Sequence, residues 1–85
     1  MIEREALKLE LKQLVIYECQ KELTPDDIPD DAGLFGDPAG PNLDSLDALQ
    51  IAMAVQQRYG KRIEGNTETR NALTSVNTLA DFILT

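Results

Sequence analysis

The chain has no histidine and no tryptophan, a single cysteine, and few bases, with 8 Lys and Arg against 15 Asp and Glu in 85 residues. Each shortage removes a class of function. Without His, and with one Cys, there is no internal disulfide, no multi-Cys/His zinc site and no His-based catalytic triad, and most acid-base chemistry near neutral pH goes with them. A formal charge of -7 and a pI near 4.3 repel phosphate backbones and anionic headgroups, so nucleic acid and membrane surfaces are poor partners. The longest aliphatic-type run, Ile51 to Val55, is too short to cross a bilayer. The opening MIEREALKLE mixes charges from its third residue and lacks an apolar signal core. The expectation is one small cytoplasmic domain over residues 1-85, monomeric and with no membrane insertion.

What the sequence does have is helical periodicity. From Ile2 to Leu23, the residues Leu7, Leu11, Leu14, Val15, Cys19 and Leu23 recur at helical spacing, with Glu3, Arg4, Glu5, Lys8, Lys12, Glu18 and Lys21 mostly off that stripe. Cys19 lies on the stripe and reads as a buried small apolar residue. Asp44 to Tyr59 is the strongest helical signal, with Asp44 as N-cap, Asp47 as the third-position carboxylate and Gly60 as the left-handed stop. Ile51, Ala52, Val55 and Tyr59 form one apolar stripe, and Leu46, Leu49 and Met53 form a second that continues into Gln56. Asp47, Gln50, Ala54, Gln57 and Arg58 fall on a polar side. A helix apolar over so much of its circumference is wedged between neighbours or shows an apolar strip to a partner. Ile63 to Asn71 reads as a loop carrying at most a short helix. Ser75 then caps a closing segment in which Val76, Leu79, Ala80 and Ile83 recur beside Phe82. No stretch alternates with period two, which argues against a sheet. The core expected from this pattern is Leu7, Leu11, Leu14, Val15, Ile51, Val55, Tyr59, Ile63, Val76, Leu79 and Ile83.

Between the first two helices, Thr24 to Leu43 holds all four prolines and three of the five glycines, so it is a twenty-residue loop. Thr24, Pro25 and Asp27 are placed to make one short helical turn. Ile28, Leu34, Phe35 and Leu43 can pin the loop to the core, which fits a functional rather than a disordered segment. Residues 24-47 carry seven Asp and no base, and the rest of the chain balances to zero, so the whole net charge surrounds Ser45. Such a field steers a basic partner toward that serine. The simpler explanation is that Asp favours turns and caps.

The stretch LFGDPAGPNLDSLDALQIAMAVQQRYGKRI, Leu34 to Ile63, resembles the acyl carrier protein family: a Leu-Phe-Gly loop, Asp44-Ser45-Leu46-Asp47 at a helix start, then an apolar helix. With the leading and closing helices, the resemblance spans nearly the whole chain. It implies an all-α four-helix bundle with a long loop between helices 1 and 2 and a short third helix. It also implies that Ser45, flanked by Asp44 and Leu46 in the cofactor-binding motif, receives 4'-phosphopantetheine from coenzyme A. The donor enzyme is a separate magnesium-dependent phosphopantetheinyl transferase, and the carrier itself is no enzyme. The thioester-forming thiol then belongs to the prosthetic group and not to Cys19. A phosphodiester at a helix start is compatible with the dipole and the unpaired N-H groups there. Without the surrounding pattern, Ser45 would read as an ordinary helix-start serine.

By the same resemblance, Leu46, Leu49 and Met53 face visiting enzymes such as a ketosynthase or an acyl ligase or transferase, with Asp47, Gln50, Gln56 and Gln57 around them. The alternative for these apolar positions is core packing. The family usually carries acids where this chain has Gln50, Gln56 and Gln57, an exchange that keeps hydrogen bonding and removes Coulomb steering. Glu64-Gly65 also replaces the proline common in relatives. The expectation is a specialised carrier for a fatty-acid-like or polyketide pathway. An aminoacyl, peptidyl or D-alanyl carrier is a second reading, and an unmodified helical interaction module a third. Ala48, Ala52 and Ala54 keep the second helix thin enough to leave room for an acyl chain, although Ala is also a good helix former.

Overall fold

A computed structural model describes residues 3-62 and 71-84. Among them are three α-helices, α1 (Arg4–Glu18), α2 (Ser45–Tyr59) and α3 (Val76–Leu84), and a 3-10 turn at Pro25–Asp27. Strand-like pairing among the described residues is limited to one bridge, between Phe35 and Leu43. The all-helical class expected from periodicity is therefore observed, with three described helices where four were expected. The short helix expected within 63-71, and the core position Ile63, lie outside the described residues except for Asn71, which is helical together with Ala72.

Helix α1 buries Leu7, Leu11, Leu14 and Val15 and contacts α2, α3 and the 3-10 turn. It stops at Glu18, five residues before the expected end. Gln20 turns left-handed at φ 52°, and the N-H groups of Gln20 and Lys21 return to the carbonyls of Tyr17 (3.4 Å) and Ile16 (3.1 Å). This satisfies orphan carbonyls at the helix end with a glutamine where glycine is usual, so no breaker residue announced the stop. Leu23 lies beyond the helix and is half-buried.

The long loop lies against the helices. Thr24 and Asp27 close the 3-10 turn, the Asp27 carboxylate accepting the N-H (2.9 Å) and hydroxyl (3.2 Å) of Thr24. Ile28, Ala32, Leu34 and Leu43 are buried, and Phe35 packs on the core at partial burial. The Leu34 N-H donates to Thr74 O at 2.9 Å, and its carbonyl accepts the Leu43 N-H at 2.8 Å. Asp37 pins the tip by accepting from Gly33 N-H and Ala39 N-H, both at 2.9 Å. Gly40 must lack a side chain, because a Cβ there would collide with the Gly33 carbonyl oxygen.

Helix α3 starts at the Ser75 cap, whose hydroxyl accepts the Thr78 N-H at 3.2 Å. Val76, Leu79 and Ala80 complete the core with Ile51 and Val55. The structure places five residues differently from their sequence pattern. Tyr59 and Ile83 sit at the margin of the core, and Cys19 is only half-buried. Ala54, read as polar-side, is buried at 9% exposure because α2 turns that narrow edge inward. Lys8, read as outside the stripe, is buried at 6% exposure beneath the returning loop.

Candidate functional site

Helix α2 begins as its sequence indicates, with Asp44 as an extended N-cap and Gly60 in the left-handed region at φ 71°. The Asp44 carboxylate accepts the Asp47 N-H at 3.0 Å, and the Asp47 carboxylate accepts the Asp44 N-H at 3.1 Å. This reciprocal cap satisfies helix-start donors with carboxylates alone. The Asp47 N-H, followed by that of Leu46, holds the Asp44 carboxyl below the usual carboxylate range, with a further pull from Lys21. Lys21 reaches Asp47 at 3.9 Å. Ser45, the first helical residue, is exposed, and the cap makes no demand on its hydroxyl.

Beside Ser45 lies a cavity of about 440 Å³ lined by Gly33, Phe35, Ser45, Ala48, Leu73 and Thr74. Three parts of the chain build it: the loop anchored by Leu34, the first turns of α2, and the segment leading into α3. Ala48, expected to thin the helix, does so at this wall, whereas Ala54 serves the core. Leu73 and Thr74 were not singled out from the sequence. They lie some thirty residues from Ser45 and carry no motif; the Leu34 to Thr74 hydrogen bond and the packing of Leu73 on the core bring them alongside.

The second apolar stripe of α2 faces outward. Leu46, Leu49 and Met53 are 74%, 57% and 52% exposed, which rules out core packing for them. Gln50, Gln56 and Gln57 are exposed around this strip. Between Asp47 and Arg58 the helix carries no charge. The candidate partner-facing residues therefore share one surface, with Asp47 half-buried at its edge.

The acidic cluster divides by use. Asp27, Asp37, Asp44 and Asp47 bind backbone N-H groups of the loop and helix start, and Asp30 pairs with Lys8 and Lys12. Turn and cap chemistry thus accounts for most of the seven Asp, and Asp26 and Asp31 are exposed. Cys19 donates toward the Asp47 carbonyl at 3.9 Å. Burial, and then the neighbouring Asp47, push its thiol up to about 12, so it carries no nucleophile at neutral pH.

An exposed hydroxyl at a helix start can be esterified without disturbing the cap, and the partial positive charge there suits an added anion. The adjoining cavity, with Phe35, Ala48 and Leu73 in its walls, can take a flexible, partly apolar chain tethered at that oxygen. The residues present fit a phosphopantetheine arm. Among the described residues no helix is long and apolar enough to cross a membrane. No protein-family model matches the chain, and no curated protein matches it.

Proposed function

We propose that the chain is an acyl carrier protein of the four-helix-bundle type, with Ser45 bearing 4'-phosphopantetheine. In this reading a transferase with bound magnesium joins Ser45 Oγ to the pantetheine-side phosphorus of coenzyme A. The pyrophosphate P-O bond breaks, adenosine 3',5'-bisphosphate leaves, and the hydroxyl proton passes to a base on the transferase. The arm supplies a terminal thiol that holds an acyl group as a thioester. This chain's residues do the rest: Asp44 and Asp47 hold the helix start, Leu46 flanks the attachment point, and the cavity lined by Phe35, Ala48 and Leu73 offers shelter to the arm.

The observation that carries the reading is the exposed Ser45, whose hydroxyl takes no part in the cap and which lines a cavity of about 440 Å³. The uncharged glutamines on α2 support a specialised carrier of a cytoplasmic fatty-acid-like or polyketide pathway. Its enzymes would meet Leu46, Leu49 and Met53 with less Coulomb steering than an acidic helix provides. Incubation with coenzyme A, magnesium and a broad-specificity phosphopantetheinyl transferase, followed by intact-mass measurement, is the test. A gain of one phosphopantetheinyl group that disappears in Ser45→Ala supports the proposal. An unchanged mass in the wild type overturns it and favours an unmodified docking module built on the exposed strip. Loading with acyl and aminoacyl donors then separates an acyl carrier from an aminoacyl, peptidyl or D-alanyl carrier.

A further inference from the structure

Lys8 is enclosed at 6% exposure on a helix face otherwise made of Leu7, Leu11, Leu14 and Val15. An ammonium removed from water needs a counter-charge. Its Nζ lies 3.4 Å from Asp30 Oδ2 and 3.3 Å from Glu5 Oε1, and Lys12 Nζ lies against Asp30 Oδ1. The Glu5 side chain is 70% exposed, so Asp30 is the carboxylate that covers the enclosed side. The Asp30 carbonyl also accepts the Asn77 N-H of α3 at 2.9 Å. One loop residue therefore fastens the loop to α1 through charge and to α3 through its backbone. Three residues further on is Gly33, and five further on is Phe35, both walls of the cavity beside Ser45.

We propose that Asp30 is the catch of a releasable strap: with its carboxylate ionised between Lys8 and Lys12, residues 28-35 stay closed over α1 and α3, and loss of that charge lifts them and opens the cavity beside Ser45. With the carboxylate neutral, two adjacent ammonium groups face one another, and Lys8 regains water only if the loop moves away. The apolar anchors Ile28 and Leu34 oppose the movement, so closure is conditional on the charge and not fixed by it alone. The groups facing the catch are Lys8, Lys12 and Glu5 from α1 and the Asn77 backbone from α3, Asp81 being taken by Arg4 at 2.9 Å. The Lys12 ammonium, and then that of Lys8, hold the Asp30 carboxyl below its ordinary value against the opposing effect of burial. Because the folded value is depressed, the stabilisation is complete above the unfolded value and is lost as pH falls through the folded one, below about pH 4.

Amide hydrogen exchange in the full chain tests the strap, since the Leu34 N-H is tied to Thr74 and the Asn77 N-H to Asp30, while the Val55 N-H reports the interior of α2. Asp30→Asn is expected to speed exchange at Leu34 and Asn77 by about tenfold or more, with Val55 changing by less than about threefold. Lowering the pH of the wild type from 6 is expected to have the same selective effect at the pH where Asp30 itself takes up its proton, followed by its side-chain carboxyl shift, once intrinsic rates are corrected. The triple variant Lys8→Met, Lys12→Met, Asp30→Leu has no ion pair to lose, and its Leu34 protection is expected to show no step at that pH. Equal acceleration at all three amides, or none, overturns the proposal, and so does a triple variant that opens at that same pH. If Asp30→Asn does not fold, the triple variant and the wild-type titration decide the matter. None of these readouts depends on whether Ser45 is modified.

Discussion

The same chemical change, leucine to alanine, separates the fold from the candidate docking strip when it is made at Leu34 and at Leu49. Leu34 has no exposed surface and sits in the loop with both backbone groups hydrogen-bonded, to Thr74 and to Leu43. Alanine keeps those bonds and removes only the buried methyl groups and the methine carbon, leaving a cavity beneath the loop. Such truncations cost about 2 to 5 kcal/mol, a large part of the roughly 5 to 15 kcal/mol that holds a small domain together. At about 4 to 8 °C per kcal/mol for a chain of this size, Leu34→Ala should lower the melting temperature by about 10 °C or more. Leu49 is 57% exposed, and its truncation should stay within about 0.5 kcal/mol, or about 4 °C. Melting followed by far-ultraviolet circular dichroism, supported by urea titration, measures both. A Leu34→Ala protein that melts within a few degrees of wild type would show that the loop is not anchored through the core. A large fall for Leu49→Ala would show that the strip is structural.

Gly40→Ala should destabilise the loop selectively, because the new methyl group meets the Gly33 carbonyl oxygen. Nuclear magnetic resonance shift changes centred on residues 32-43 are expected, and an unperturbed spectrum would contradict the close approach. Cys19 should resist iodoacetamide at pH 8 in the folded protein and react readily once unfolded, since its thiol is pushed up to about 12. Equal rates in the two states would refute that environment.

Local chemistry made the α2 boundaries legible. The Asp44 and Asp47 cap and the Gly60 stop each depend on residues within one turn of the helix end, so propensity and geometry agree there. The end of α1 was not legible, because Gln20 takes the left-handed conformation that sequence rules assign to glycine. Lys8 and Ala54 were misplaced for a tertiary reason. Whether a residue on the margin of a helical stripe is covered depends on what comes back across it, and the returning loop is remote in sequence. The two apolar stripes of α2 show the same limit. Periodicity finds both, yet only the placement of α1 and α3 makes Ile51 and Val55 interior and leaves Leu46, Leu49 and Met53 outside. Ser45 was legible as a helix start with a spare hydroxyl, whereas the cavity beside it needs Leu73 and Thr74.

The paired hydrogen bonds of Leu34 make one peptide neighbourhood the junction between distant stretches of chain. A displacement at Thr74 is passed through Leu34 to Leu43, and from there it arrives next door to the residue that caps α2. Substitutions near the start of α3 should thus be felt at Ser45 without touching it, and engineers who alter residues 71-75 will be retuning the start of α2 from behind.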